Sequence, residues 1–130
     1  MSVNREALQW LEYARENLES AWILLESGLY NPSLQNAQQA TEKSLKSLMI
    51  QNRIPLKRTH SISALIHTLA EHDILIPMAE DELELIDSIY LSSKYPLGSA
   101  LPHFMPDRSI CERCLDIARE TLQKVEAHLG

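Results

Sequence analysis

The sequence predicts an all-α protein, an antiparallel up-and-down helical bundle of four to five helices, on three observations. Leu, Ala, Glu, Gln, Lys and Arg dominate while Gly is confined to three positions, a usage that favours helix because these side chains lose little rotamer freedom there. Apolar residues recur at steps of three and four along four long segments. Prolines and one glycine fall between those segments rather than inside them. With 130 residues, the chain suits one domain spanning residues 1–130 with a substantial core.

Helix one is expected from about Asn4 to Ser27. Leu11, Ala14, Leu18, Ala21 and Leu25 form its apolar stripe, and Trp10, Tyr13 and Trp22 are read as widening that face. Gly28 accepts the left-handed conformation that ends a helix. Asn31-Pro32 reads as the start of helix two, with Asn as cap and Pro in the first turn. Leu34, Ala37, Thr41, Leu45 and Leu48 are its buried stripe, which stops before Ile54-Pro55. Thr59 or Ser61 opens helix three, with Ile62, Leu65, Ile66 and Leu69 inward.

Ile76-Pro77 breaks the chain again, and helix four follows over about Ala79–Ser93 with Leu83, Ile86, Ile89 and Tyr90. Pro96, Pro102 and Pro106 exclude regular helix from the next segment. Asp107 caps helix five, which runs to about His128. That helix carries two adjacent stripes, Ile110-Cys114-Ile117-Thr121-Val125 and Cys111-Leu115-Ala118-Leu122. So wide an apolar arc belongs either at the centre of the bundle or in an interface shared with another subunit.

Charge and composition remove several classes of function. The formal net charge is −6, and much of it lies between Glu71 and Asp87, where Lys and Arg are absent. The remainder is close to neutral, with Arg53, Lys57 and Arg58 clustered beside His60. A local basic site is compatible with this distribution but a general polyanion-binding face is not, so DNA is not an expected partner. The longest apolar run, Ala21–Leu25, is too short to span a bilayer. No membrane association is expected, and a cytoplasmic location is. Cys111-x-x-Cys114 lacks the second ligand pair that zinc needs and reads as packing. Neither a metal nor a cofactor is expected, since phosphate loops and nucleophile elbows are also missing.

Four pieces of the chain carry a family resemblance. Gln38-Gln39-Ala40-Thr41-Glu42-Lys43-Ser44-Leu45-Lys46-Ser47-Leu48 resembles the helix-two signature of HEPN domains. Gly28-Leu29-Tyr30 with Pro32, Thr59-His60-Ser61-Ile62-Ser63-Ala64-Leu65, and Tyr90-Leu91-Ser92-Ser93-Lys94-Tyr95-Pro96 resemble three further elements of that family in the same order. The resemblance covers nearly the whole chain. It implies a small helical bundle that commonly dimerises and is linked to nucleotide or RNA chemistry. It also implies either ribonuclease toxins or the helical partner of a small nucleotidyltransferase encoded next door, a toxin–antitoxin-like arrangement. Active members use R-x(4–6)-H near the last long helix, one copy per subunit of a dimer. Here Lys94 replaces that arginine and the next histidine, His103, lies nine positions on, so the motif is degenerate. Arg53 and His60 have the bare spacing but sit before helix three, where the family does not place its site.

The candidate ligand-binding residues are therefore Glu42, Lys46, His60, Lys94, Tyr95 and His103, with His60 and His103 as weak catalytic candidates. Glu42 and Lys46 are four apart with Glu first, the favourable order for an ion pair; they are either a surface pair or part of a groove wall. His60 is either a structural contact at a helix start or an acid, base or phosphate donor. Lys94 supplies charge for a phosphate, and Tyr95 or Phe104 a stacking surface. The expected function is a nucleotide- or RNA-binding accessory module, with a divergent metal-independent ribonuclease and a ligand-free structural bundle as alternatives. The partners expected are a second copy and a nucleotidyltransferase.

Overall fold

The computed structural model describes residues 3–56, 58–94 (backbone alone for 91–94) and 106–129. Five helices are found among them: α1 Arg5–Glu26, α2 Tyr30–Gln51, α3 Ile62–Glu71, α4 Glu80–Lys94 and α5 Arg108–Leu129. No strand occurs among the described residues, and the all-α antiparallel bundle is as the sequence predicts. None of these helices is long and apolar enough to cross a membrane.

The longest seam joins α1 to α2 and is built from small residues. Ala7, Ala14 and Ala21 recur every seven positions on α1 and are fully buried. Ser33 Oγ donates to the Ala21 carbonyl at 2.7 Å and Ser47 Oγ to the Ala7 carbonyl at 2.9 Å. The antiparallel register these two bonds set puts Ala14 opposite Ala40. Side chains this small let the backbones approach closely, and the serines satisfy themselves on the neighbouring helix rather than in water.

Helix α2 is the axis of the bundle. It packs against α1, α3, α4 and α5, and its buried residues include Leu34, Leu45, Leu48 and Met49 as well as Gln38, Glu42 and Lys46. Its first turn departs from expectation. The helix begins at Tyr30, Leu29 occupies the cap position without a side-chain bond, and Asn31 lies inside the helix. Pro32 is tolerated there because N–H groups of a first turn have no intrahelical acceptor.

Three helices end in the same way. Gly28, Arg53 and Asp73 have φ of 75°, 56° and 62°. Each is followed by an apolar residue whose N–H reaches back five positions: Leu29 to Leu24, Ile54 to Met49, Ile74 to Leu69. This is the left-handed C-terminal cap with its apolar follower. At the other ends, the Asn4 side chain accepts from the N–H groups of Glu6 and Ala7, Ser61 caps α3 and Asp107 caps α5.

Both stripes of α5 are covered inside one chain, from Cys111, Cys114 and Leu115 through Ile117, Ala118, Thr121 and Leu122 to Val125. The helix is central, lying against α2, α1 and α4, so its wide arc gives no reason to invoke a second subunit. Burial pushes the Cys114 thiol up to about 12, and the Cys111 thiol is raised as well. Both stay protonated packing groups at neutral pH. The reading of α1 fails in part: Trp22 and Tyr13 are 52 % and 58 % exposed, and Leu18 is half-buried. Among the described helices α1 lies against α2 and α5 alone, so these two leave the margins of its stripe uncovered.

This difference in burial orders two substitutions. Leu45 is wholly buried, so Leu45→Ala should cost about 2–5 kcal/mol. Leu18→Ala should cost less than about 2 kcal/mol, because part of that side chain is hydrated already. Thermal melts of the two variants against wild type check the order, and equal losses would contradict the packing described.

Candidate functional site

A run of polar residues on α2, Gln38, Glu42 and Lys46, recurs every four positions and so lies on one helix face. All three are buried, Glu42 with only 3 % of its surface exposed. A carboxylate so enclosed needs donors for both oxygens, and they are present. Lys46 Nζ donates to Oε2 at 2.9 Å. Gln38 Nε2 donates to Oε1 at 3.2 Å, and His60 Nδ1 lies 3.0 Å from the same oxygen. Gln38 Nε2 also donates to the His60 carbonyl at 3.2 Å, fixing the backbone of that loop as well as its ring. The surface-pair reading of Glu42 and Lys46 is therefore wrong: the pair is internal, because α2 is covered on the face that carries it.

The Glu42 carboxylate has only acceptor capacity, so the proton of a neutral His60 ring must sit on Nδ1. That leaves Nε2 with its lone pair. The ring stacks on Tyr90 of α4, centroids 4.3 Å apart and planes 15° from parallel. Half of the His60 side chain stays exposed. It opens on a cleft of about 390 Å³ lined by Arg58, Thr59, His60, Ser61, Asp87 and Tyr90.

Asp87 does not belong to a solvated acidic face, as its neighbours in sequence suggest. Its carboxylate accepts from the N–H groups of Ile62 and Ser63 and from Ser61 Oγ. It thus caps the N-terminus of α3 from another helix, where a negative charge is favoured. The other acidic residues of α4 do not line this cleft, and Asp81 pairs with Arg113 of α5. Lys46 Nζ also stands 5.9 Å from the centroid of Trp10 on α1, a cation–π distance.

Of the residues singled out from the sequence, Glu42, Lys46 and His60 are brought together. Lys94 is the last residue of α4, and its side chain, with Tyr95, His103 and Phe104, lies outside the described residues. Arg53 is the left-handed residue that closes α2. Gln38, Arg58, Tyr90 and Asp87 were not among the candidates. A signal existed for Gln38, which precedes Glu42 by four. None existed for the stacking of Tyr90 or the inward turn of Asp87, which depend on how α3 and α4 meet. Among the described residues no group of His, Cys, Asp and Glu side chains converges so as to hold a metal ion.

Comparisons with known proteins agree on one family. The HEPN domain family model matches residues 7–128. The structure is similar to that of the protein TT1696 from Thermus thermophilus, with 33 % identity, 95 % of this chain and 98 % of that one covered, and a TM-score of 0.76. It is also similar to ST0689, an archaeal HEPN homologue, with 27 % identity, the same coverages and a TM-score of 0.72. Curated proteins yield no match.

The internal ion pair makes its own test. Glu42→Ala leaves a buried ammonium facing a cavity and should cost about 3–5 kcal/mol. The double change Glu42→Leu with Lys46→Met removes both charges and should recover most of that loss in chemical denaturation. If the double variant were no more stable than the single one, the pair would not be the buried unit described.

Proposed function

The chain belongs to the HEPN domain family, and on that premise we propose that it is a nucleotide- or RNA-binding accessory module. Its site is the cleft over His60 and Tyr90, and it serves as the helical partner of a small nucleotidyltransferase in a toxin–antitoxin-like pair. The observation that carries this reading is the enclosed Glu42 carboxylate holding His60 by Nδ1, with half of the ring left in the cleft. A ring fixed in one tautomer presents Nε2 in a constant direction. Arg58 in the same cleft supplies a guanidinium suited to phosphate oxygens. The His60–Tyr90 stack provides an aromatic edge for a base. Glu42 and Lys46 are positioning residues, because each neutralises the other and neither is exposed. The family resemblance supports the nucleotidyltransferase partner, and the acidic start of α4, with Glu80 and Asp81 exposed and Glu82 half-buried, offers such a partner a surface of defined sign.

The divergent ribonuclease is kept as a second reading on one observation: the cleft combines a carboxylate-held histidine with an arginine. In that reaction His60 Nε2 would take the 2′-hydroxyl proton and the 2′-oxygen would attack phosphorus. The 5′-oxygen would leave with a returned proton, and Arg58 would offset the charge on the phosphorane. The accessory reading expects no such turnover, because the family's own arginine position holds Lys94.

Titration with adenosine 5′-monophosphate and with a short single-stranded RNA should move the amide signals of Thr59–Ser63 first. Shifts confined to Glu80–Glu82 would displace the site. RNA incubated with the protein, with and without divalent metal, should stay intact. Cleavage that disappears in His60→Ala would put the ribonuclease reading first.

The homodimer is proposed on a surface that keeps Leu115 and Leu122 of the second α5 stripe and adds the exposed margin of α1. A groove of about 370 Å³ between α1 and α5 is lined by Leu18, Trp22, Leu115 and Leu122, with Arg15, Glu19 and Arg119 at its rim. Arg15 and Arg119 at that rim are already paired with Glu126 and Asp116, so uncompensated like charge does not oppose a two-fold contact there. Light scattering at tens of micromolar should give a dimer that Trp22→Glu converts to monomer, and a monomeric wild type would exclude it.

A further inference from the structure

A second cleft, on the other side of the Glu42–Lys46 pair, is not used by the reading above. It is lined by Glu6, Gln9, Trp10 and Tyr13 of α1 and Lys43 of α2, with a volume of about 370 Å³. Glu6, Trp10 and Tyr13 follow at steps of four and three, so they occupy one face of α1. Tyr13 is 58 % exposed, and exposure of so large a ring on a helix that has covered its alanine stripe has no role in the core.

The cations here are held in place. Lys43 Nζ stands 5.7 Å from the Tyr13 centroid and donates to Asn17 Oδ1 at 2.9 Å. Asn17 is itself tied to Asn36 of α2 at 2.9 Å. Lys46 Nζ stands 5.9 Å from the Trp10 centroid, its charge already met by Glu42. The Lys43 end of the cleft is therefore positive and aromatic. At the other end, about 10 Å along α1 by helix rise, Glu6 makes no side-chain hydrogen bond or ion pair with the described residues.

We infer that this cleft binds a guanosine nucleotide unit, with the base against Tyr13 and Trp10, its Watson–Crick edge on Glu6 and its phosphate at Lys43. Three features select that ligand. Two aromatic rings one turn apart suit a planar base. A carboxylate can only accept, so it matches the paired N1–H and 2-amino donors of guanine and opposes the N1 acceptor of adenine. The ends of the cleft carry opposite charge, which sets the orientation: phosphate is repelled from Glu6 and attracted to Lys43. The inference rests on the reading of this chain as a nucleotide or RNA binder, and it adds a second, base-selective site distinct from the His60 cleft. A free guanine nucleotide and a guanosine in a single strand share this chemistry.

The test uses Trp22→Phe as background, which leaves Trp10 as the sole tryptophan. Guanosine 5′-monophosphate and a single-stranded RNA hexamer with one guanosine are titrated while Trp10 emission is followed; whichever binds more tightly identifies the source. Quenching should saturate, with inosine monophosphate weaker and adenosine monophosphate roughly five- to tenfold weaker than guanosine monophosphate, the low end of base discrimination because Glu6 is exposed. Glu6→Gln should erase the preference, and Tyr13→Ala should weaken every ligand about tenfold. Absence of quenching, or a guanosine preference that survives Glu6→Gln, overturns the inference. His60→Ala keeps the two sites separate. Thr59–Ser63 amide shifts without Trp10 quenching sink this site alone, whereas Trp10 quenching without those shifts supports it and sinks the His60 cleft.

Discussion

A carboxylate enclosed by protein must be surrounded by donors, and the architecture around Glu42 is the answer to that requirement. Lys46 and Gln38 come from the same helix and cost no chain closure. The third donor, His60, comes from the loop before α3, and it arrives only because α3 is anchored. That anchoring is done by Asp87 of α4, which accepts from the Ile62 and Ser63 N–H groups and the Ser61 hydroxyl, while Tyr90, one turn further on, closes over the imidazole. Helices α2, α3 and α4 thus meet at one histidine. Removing Glu42 would leave Lys46 charged and buried, and would free the ring that the cleft presents.

The same arrangement explains how an acidic protein can offer a site to an anion. Net charge describes the far field; a ligand in a cleft feels the groups that line it. Two carboxylates lie at the His60 cleft, and both are saturated. Glu42 faces an ammonium and two N–H donors, and Asp87 faces the positive end of a helix. Arg58 and the imidazole therefore keep most of their influence. The exposed carboxylates of α4 sit elsewhere, one of them paired with Arg113.

Helix boundaries were legible where a residue type forces the conformation. Gly28 announces the end of α1 because glycine enters the left-handed region without a Cβ clash. Arg53 and Asp73 adopt the same geometry with no such advertisement; only the apolar residue that follows each hints at the motif. The stripe of α2 was legible too, but its polar face was not. Gln38, Glu42 and Lys46 at intervals of four look like a solvated edge, and the spacing of a charged pair is the same in water as in a core. What decides is that α2 touches four other helices, a property of topology rather than of local pattern. Tyr13 and Trp22 mislead in the opposite direction: both rings are hydrophobic, yet they stay exposed, because among the described helices α2 and α5 alone lie against α1 and cover only part of a wide arc. Lys94, Tyr95 and His103 rest on family likeness alone.

Helix α5 shows why a sequence argument for pairing can fail while pairing itself stays open. Two stripes on one helix need two neighbours, and α2 and α1 supply them within the chain. The apolar surface left over is at the other margin of α1, where Leu18 and Trp22 meet Leu115 and Leu122. On an α-helix Trp10 and Trp22 are about 120° apart around the axis, so that groove and the Glu6–Tyr13 cleft open in different directions. A second copy seated on Trp22 would bury the groove and leave both the aromatic cleft and the His60 cleft open. Assembly and nucleotide recognition need not compete for the same face, because α1 divides them: its alanines go to α2, its leucine margin to the groove, and its Glu6-Trp10-Tyr13 line to solvent.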